Sequence, residues 1–389
     1  MHVALTGATG FLGLRLLRRL LDAHDSVTVL AHAGSGDALR RITRFFELSG
    51  APEAVTARLP SRLRVVETEL QRPRLGLSRS SFQELADGLD AIWHCAGSIN
   101  LEGGLAELRR VNVDGTRHVL ELAEAGRRGP ALHHVSTAFV AGARRDGVAY
   151  EDELEGAYGF ENAYERSKYE AEVLVHAWSR AHGRPAVVLR PSILVTDLPP
   201  HPELPPHPLE VIKRLLRAGV RALAPAASGR RTVRLVGHPR GHLNLMPVED
   251  AAEVMVRLSG RRAPGGVDTY HVVHGHDVPV PVVVALLERL VPLSFELVAS
   301  RCGAVCELEE LTDSYPGFTA YLAHRRRFDD TRVRTLLGPP TGRTRVDLDY
   351  LWSGLGPGSG DRREPATAAW TAPPAPPAPA RPSPTPRYA

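Results

Sequence analysis

Short apolar runs alternate along this chain with stretches in which apolar residues recur every three or four positions. Runs near 2–6, 26–31, 64–68, 91–95, 131–136 and 186–191 read as strands, and a later one lies near 269–273. The first, 2–6, and the run closing on Ser136 and Thr137 read as strands buried in a parallel sheet. Leu14 to Leu21 has helical spacing. So does a segment opening at Asn162 and carrying Tyr164, Lys168 and Val175; Gly183 ends it, with Pro185 beyond. Strands alternating with helices predict an α/β fold, a doubly wound parallel sheet covered on both faces.

The first strand runs directly into Thr6-Gly7-Ala8-Thr9-Gly10-Phe11-Leu12-Gly13, and a helix follows. Strand, glycine turn and helix form the context that a dinucleotide-binding fingerprint requires. Gly7 allows the tight turn, Gly10 lets backbone approach a pyrophosphate, and Gly13 lets helix and strand pack closely. The helix N-terminus offers N–H groups and partial positive charge to phosphates. The bland alternative is an ordinary glycine turn. A signal peptide is not expected, because no basic residue precedes the apolar run and three interrupt the next one.

The second strand ends in Ala31-His32. An Asp or Glu there would bind a ribose 2′-hydroxyl. Its absence, with Arg40, Arg41 and Arg44 just downstream, favours a 2′-phosphate and hence NADPH, with NADH left open. A solvated helical face explains the arginines almost as well.

Tyr164 and Lys168 lie one helical turn apart, so they share a face. A phenol titrates near 10, and a neighbouring ammonium is expected to lower that value and make the tyrosine a usable acid. Surface pairs at this spacing are common. Yet of 48 basic residues only Lys168 and Lys213 are lysines, and lysine is a compact point charge where arginine is a planar fork. The strand near 131–136 closes on Ser136 and Thr137. That is the strand end where open α/β sheets bind ligands. Either hydroxyl can hold a substrate carbonyl, and either can equally be satisfied by backbone.

With these residues in place the chain resembles the extended short-chain dehydrogenase/reductases, and within them the thioester-reductase and fatty-acyl-CoA-reductase branch. The resemblance covers about residues 1 to 350. It is carried by Thr6 to Gly13, Leu75-Gly76-Leu77, Ile92 to Gly97, Asn112 to Thr116, Ser136 to Val140, Tyr164 to Lys168, Leu189 to Ile193 and Asn244 to Glu249. It implies a Rossmann domain binding NAD(P). It implies Thr137, Tyr164 and Lys168 as catalytic hydroxyl, tyrosine and lysine, with Ser136 a second candidate hydroxyl. Gly7, Gly10 and Gly13 would bind the pyrophosphate, with Thr6, Thr9, Phe11 and Leu12 also binding the cofactor. Glu69 and Leu70 would lie beside the adenine, with His32 and Arg41 near the ribose. Ala96 and Gly97 would line the cofactor, Lys168 would reach its ribose, and Pro191, Ser192 and Ile193 would touch the nicotinamide end. The branch usually has a basic residue where this chain has His32, and Asp where it has Glu69 and Glu249. The implied reaction is NADPH-dependent hydride transfer to an acyl thioester, on coenzyme A or a carrier protein, giving aldehyde or alcohol. The alternatives are an epimerase, dehydratase or hydroxyl dehydrogenase acting on a sugar nucleotide or small alcohol, and a non-catalytic NAD(P)-sensing binder.

The chain has 389 residues, 43% of them apolar, and a net charge of +4. That suits about two globular lobes. The arginines are scattered without aromatic interleaving, so nucleic-acid binding is not expected. Cys95, Cys302 and Cys306 match neither a disulfide framework nor zinc spacing. His133 and His134 are strand neighbours facing opposite ways; His201 and His207 sit among prolines, His271, His274 and His276 follow a strand and could line the site, and no metal is expected. No apolar run is long enough for a membrane span, and a cytoplasmic location is the default expectation. Oligomeric state is not legible. The expected division is a Rossmann domain over 1–197, to which 244–275 return. A mostly helical substrate lobe follows from 198–243, opened by the proline-rich stretch 198–208, and from 277–352. A Pro/Ala-rich tail over 355–389, with Trp370 its one large apolar residue, is expected to be disordered.

Overall fold

A computed structural model describes residues 1–34, 36–223, 231–260, 266–338 and 344–356. The tail expected to be disordered lies, from residue 357 onward, outside the described residues. Residues Met1–Gly356 form one compact unit.

Seven strands make a single parallel sheet: β1 Val3–Thr6, β2 Val27–His32, β3 Leu63–Thr68, β4 Ala91–His94, β5 Ala131–Val135, β6 Ala186–Pro191 and β7 Val267–Val272. Their order is β7-β6-β5-β4-β1-β2-β3. The winding reverses between β1 and β4, and crevices for ligands form beyond the strand ends at such a switch point. Each strand lies within a residue or two of its expected position. The apolar runs are legible because parallel strands covered on both sides carry little else.

The helices are α1 Phe11–Ala23, α2 Ala38–Leu48, α3 Arg79–Gly88, α4 Gly115–Ala125, α5 Ala163–His182, α6 Pro208–Leu223, α7 Val248–Ser259, α8 Val280–Leu290, α9 Glu307–Asp313 and α10 Leu348–Leu355. On one face of the sheet Val3, Leu5, Val29, Trp93 and Leu189 pack against α1, α2 and α7. On the other Ala4, Ile92, Leu132 and Val188 pack against α3, α4 and α5. Burying one such aliphatic side chain contributes roughly 1.5–3 kcal/mol.

A further apolar core joins Leu209 and Val220 of α6, Leu286 and Leu290 of α8, Leu308 of α9, and Tyr350, Leu351 and Leu355 of α10. Phe139, from the loop after β5, enters the same core. This part is less helical than expected. Strand Leu293–Val298 pairs in parallel with Arg231–Val236. The alternation Leu-Ser-Phe-Glu-Leu-Val has the strand period, but its partner lies some 60 positions upstream.

Candidate active site

The glycine turn has the geometry a phosphate cradle needs. Gly7 sits at φ +72°, a left-handed conformation that glycine adopts without cost. A Cβ on Gly7 would lie 2.7 Å from the Ala96 amide nitrogen, and one on Gly13 would lie 1.9 Å from the Gly7 carbonyl oxygen. Turn, helix α1 and the end of β4 thus close on one another only with hydrogen at both positions. Gly10 is the N-cap of α1; no side chain caps that end and its first turn has no acidic residue. Its N–H groups therefore meet no competing side-chain acceptor. Thr6 ties the strand ends together: its hydroxyl lies 2.9 Å from His94 Nδ1 and accepts from the Cys95 and Ala96 amides at 3.1 Å each.

Helix α5 carries Tyr164 and Lys168. Asn162 caps it, its side-chain oxygen accepting from the Glu165 amide at 2.9 Å, and Gly183 closes it at φ +61°. Such an N-cap contributes about 1 kcal/mol. The cap also anchors the helix: Asn162 Nδ2 donates to the Tyr321 hydroxyl at 2.9 Å, and that hydroxyl donates to Glu165 at 2.8 Å. The residue before the tyrosine's first turn is thereby fixed to a segment more than 150 positions away.

Thr137 and Tyr164 come together: the threonine hydroxyl accepts from the Phe139 amide at 3.3 Å, donates to the Pro191 carbonyl oxygen at 3.4 Å, and lies close enough to the phenol to act on its proton. Burial pushes the phenol up to about 12; the Thr137 hydrogen bond opposes this, and Glu165 and Cys95 add to it. The direction is opposite to the lowering expected from Lys168. The lysine is buried too, and its amine donates to the Val135 carbonyl oxygen at 2.8 Å. Burial brings Lys168 down to about 8. The phenol therefore carries its proton at neutral pH, the state a proton donor requires.

Ser136 is turned elsewhere. Its hydroxyl donates to Glu172 at 2.5 Å, on the side of the sheet under α5. Pro191 ends β6 and Ser192 and Ile193 follow it, and the Ser192 hydroxyl is buried without a hydrogen-bond partner among the described residues. Ala96 and Gly97 continue from β4. Asn112, to which the sequence assigned no role, bridges two of these pieces. Its side chain accepts from the Ser98 amide at 2.8 Å and donates to the Ser167 hydroxyl at 2.9 Å. It lies in a π-helical turn, Arg110–Asp114. Such turns recur at functional sites, but nothing in the local sequence announces one.

The far end of the cradle is more open. His32 is exposed at the end of β2, its Nδ1 accepting from the Gly34 amide at 2.9 Å. Arg41 is half-buried on α2, and Arg44 is paired with Glu47 and Glu203. The Glu69 amide donates to the Leu75 carbonyl oxygen at 2.8 Å, and the Leu70 carbonyl oxygen lies 2.7 Å from His118 Nδ1. The Leu75-Gly76-Leu77 stretch builds this corner: Arg74, Leu75 and Gly76 are all left-handed, at φ +55°, +55° and +75°. Leu75 is fully buried, so packing holds a backbone that an isolated chain would avoid. Glu249 accepts from Arg15 at 3.1 Å and from Thr196 at 3.3 Å, joining α1 to α7 and to the loop after Ile193–Val195.

His133 stacks on Trp93 at 4.5 Å, whereas His134 lies 5.4 Å from His94 on the opposite face of the sheet. No group of three metal-binding side chains occurs among the described residues. Nor is any described helix long and apolar enough to cross a membrane.

A glycine cradle at the switch point, beside a hydroxyl, phenol and amine on neighbouring elements, defines an NAD(P)-dependent oxidoreductase of the extended short-chain dehydrogenase/reductase class. The chain belongs to the NAD-binding family described as "Male sterility protein", whose model matches residues 5–255. It is 30% identical over 298 residues to carboxylic acid reductase of Mycobacterium tuberculosis, covering 71% of this chain and 24% of that protein. It is 31% identical over 272 residues to isonitrile lipopeptide synthase of Streptomyces coeruleorubidus, covering 68% of this chain and 17% of that one. The chain thus spans a quarter or less of these relatives. Among solved structures, the terminal R domain from the myxalamid PKS-NRPS biosynthetic pathway matches with a TM-score of 0.70 at 27% identity, covering 90% of this chain and 89% of that one. UDP-glucose 4-epimerase from Bifidobacterium longum matches with a TM-score of 0.62 at 19% identity, covering 91% of this chain and 96% of the other, a likeness of fold alone.

Proposed function

We propose that the protein is an NADPH-dependent reductase of acyl thioesters carried on coenzyme A or a carrier protein. The observation that carries the reductase reading is the meeting of the Thr137 hydroxyl with a protonated Tyr164 phenol at the end of β5, one helical turn from Lys168. The cradle fits the cofactor, because the positions a Cβ would obstruct are glycine and the start of α1 is uncapped by any side chain. When bound, the reduced nicotinamide supplies the hydride.

The chain's own residues do the rest. Thr6, Gly7, Thr9, Gly10, Phe11, Leu12 and Gly13 hold the pyrophosphate against the N-terminus of α1. Ala96, Gly97, Pro191, Ser192 and Ile193 line the nicotinamide end. Tyr164 donates its phenolic proton to the carbonyl oxygen as negative charge builds there, and Thr137 holds that oxygen. Lys168 holds the ribose and keeps a positive charge near the phenol. From a thioester the first product is a hemithioacetal; loss of the thiol gives the aldehyde. Ser136, committed to Glu172, takes no part in this hydrogen bonding.

The choice of NADPH rests on the end of β2, where His32 stands in place of an acid, and on Arg41 downstream on α2. Glu69 and Leu70 lie beside the adenine. The thioester reading draws on the relatives, among them a carboxylic acid reductase and a terminal reductase domain. An epimerase-like activity on a sugar nucleotide shares the fold. The test follows NADPH absorbance with acyl-coenzyme A, acyl-carrier thioesters and UDP-sugars in parallel. Oxidation with thioesters alone is expected; turnover confined to UDP-sugars overturns the proposal.

A further inference from the structure

Lys168 faces a polar seam that apolar packing alone does not explain. The seam lies on the side of the sheet covered by α5. Around the amine stand His94 and Cys95 at the end of β4, His134 and the Val135 carbonyl on β5, and Glu172 on α5 itself. His94 and His134 are fully buried and held neutral, His94 down to about 3, chiefly by burial and then by Lys168.

Glu172 lies one turn beyond Lys168 on the same face and is fully buried. It accepts from Arg190 at 3.0 Å through Nε and 2.6 Å through Nη2, and from Ser136 at 2.5 Å. His176 Nε2 lies 3.7 Å away. Arg190 is held in turn, by the Glu153 carbonyl at 2.9 Å, the Glu151 carbonyl at 3.4 Å and His271 at 3.4 Å. Burial alone would push the Glu172 carboxyl up, but Arg190, His176 and Ser136 outweigh it and hold the group at about 2. A buried ion pair of this kind is weak evidence for stability, since apolar side chains of similar volume often serve as well. Its place behind Lys168 gives it another use.

Two groups oppose the effect of burial on Lys168, Cys95 and Glu172. Cys95 does so only as a thiolate, and burial pushes its thiol up to about 12. Near neutral pH Glu172 is therefore the charged one of the two. We propose that Glu172 is a positioning residue, fixed by Arg190 and Ser136, whose carboxylate keeps the Lys168 amine charged and aimed at the end of β5. This rests on the reductase reading for its purpose but not for its measurement. Ser136 gains a role as well, since its hydroxyl ties the strand end to the anion on α5.

The chain has only two lysines, Lys168 and Lys213, so isotope-labelled lysine gives two side-chain amine signals by NMR in the full chain, and K213R assigns them. In E172Q the Lys168 midpoint is expected to fall by about one pH unit, roughly a tenfold weaker hold on the proton. E172D, which keeps the charge, should stay within a few tenths of the parent. The double variant E172Q/R190M leaves no unpaired buried charge and keeps the test available if E172Q does not fold. Its midpoint should also fall, though by less than in E172Q, because the lost Arg190 cation offsets part of the lost anion. The alkaline limb of kcat/KM should move down with the amine. A folded E172Q or double variant with an unmoved Lys168 midpoint overturns the proposal. A shifted midpoint in a protein that reduces no thioester would leave it standing and remove the reading of function instead.

Discussion

The two ends of the sheet's carboxyl edge are built on different terms. Beyond β5 and β6 the polar groups are buried: Thr137, Lys168 and Ser192 are each at most 6% exposed, and Lys168 has a 2.8 Å hydrogen bond. Beyond β2 and β3 the corresponding groups are exposed or half-exposed, as His32, Arg41 and Glu69 show. In the proposed reaction the first end must hold reacting atoms to within fractions of an ångström, in a site poor in water. The second has only to hold a charged phosphate, which solvated cations manage with less precision and less energy per contact. Substitutions at the two ends should therefore differ in size and in kind.

Apart from loss of the Tyr164 phenol itself, the largest of these effects is expected from T137V, which keeps the volume and removes the hydroxyl beside Tyr164. Loss of one donor to a developing oxyanion costs about 100-fold in kcat. KM for NADPH should hardly move; an unchanged kcat would detach Thr137 from the chemistry. G13A comes next. Its added methyl meets the Gly7 carbonyl, and overpacking of this kind costs roughly 1–3 kcal/mol, read as a lowered Tm together with weaker NADPH binding. An alanine that leaves both intact would mean that the turn is looser than its geometry. R41A should be mildest, a few-fold rise in KM for NADPH with kcat unchanged and with little effect on NADH, since an exposed ion pair contributes about 0.2–1 kcal/mol. Equal losses with both cofactors would sever Arg41 from the 2′-phosphate.

The same contrast marks what the amino-acid order could reveal. Apart from the partly exposed edge strand β3, the strands of the sheet are short, mostly buried runs, and the pattern places them. Gly7 and Gly13 are legible because a tight turn and a close helix each demand the absence of a side chain. Tyr164 and Lys168 are legible because four positions along a helix fix their relation. What stays hidden depends on contacts distant in sequence. The proposed choice of Thr137 over Ser136 follows from Glu172, which holds the Ser136 hydroxyl at 2.5 Å. The rise of the phenol to about 12 reflects burial, which spacing does not report. The left-handed Arg74–Leu75 turn depends on a core that holds Leu75. Asn112 and the Tyr321–Glu165 contact join elements whose proximity only the fold creates.

The central claim is that Tyr164 hands its proton to the substrate oxygen. Rapid mixing of saturated enzyme–NADPH with an acyl thioester tests it in the Y164F variant, with cofactor affinity measured separately. Loss of a positioned acid should slow hydride transfer by about a thousandfold or more while NADPH binds within about threefold of the parent. Transfer within tenfold of the parent, at unimpaired NADPH binding, would contradict it.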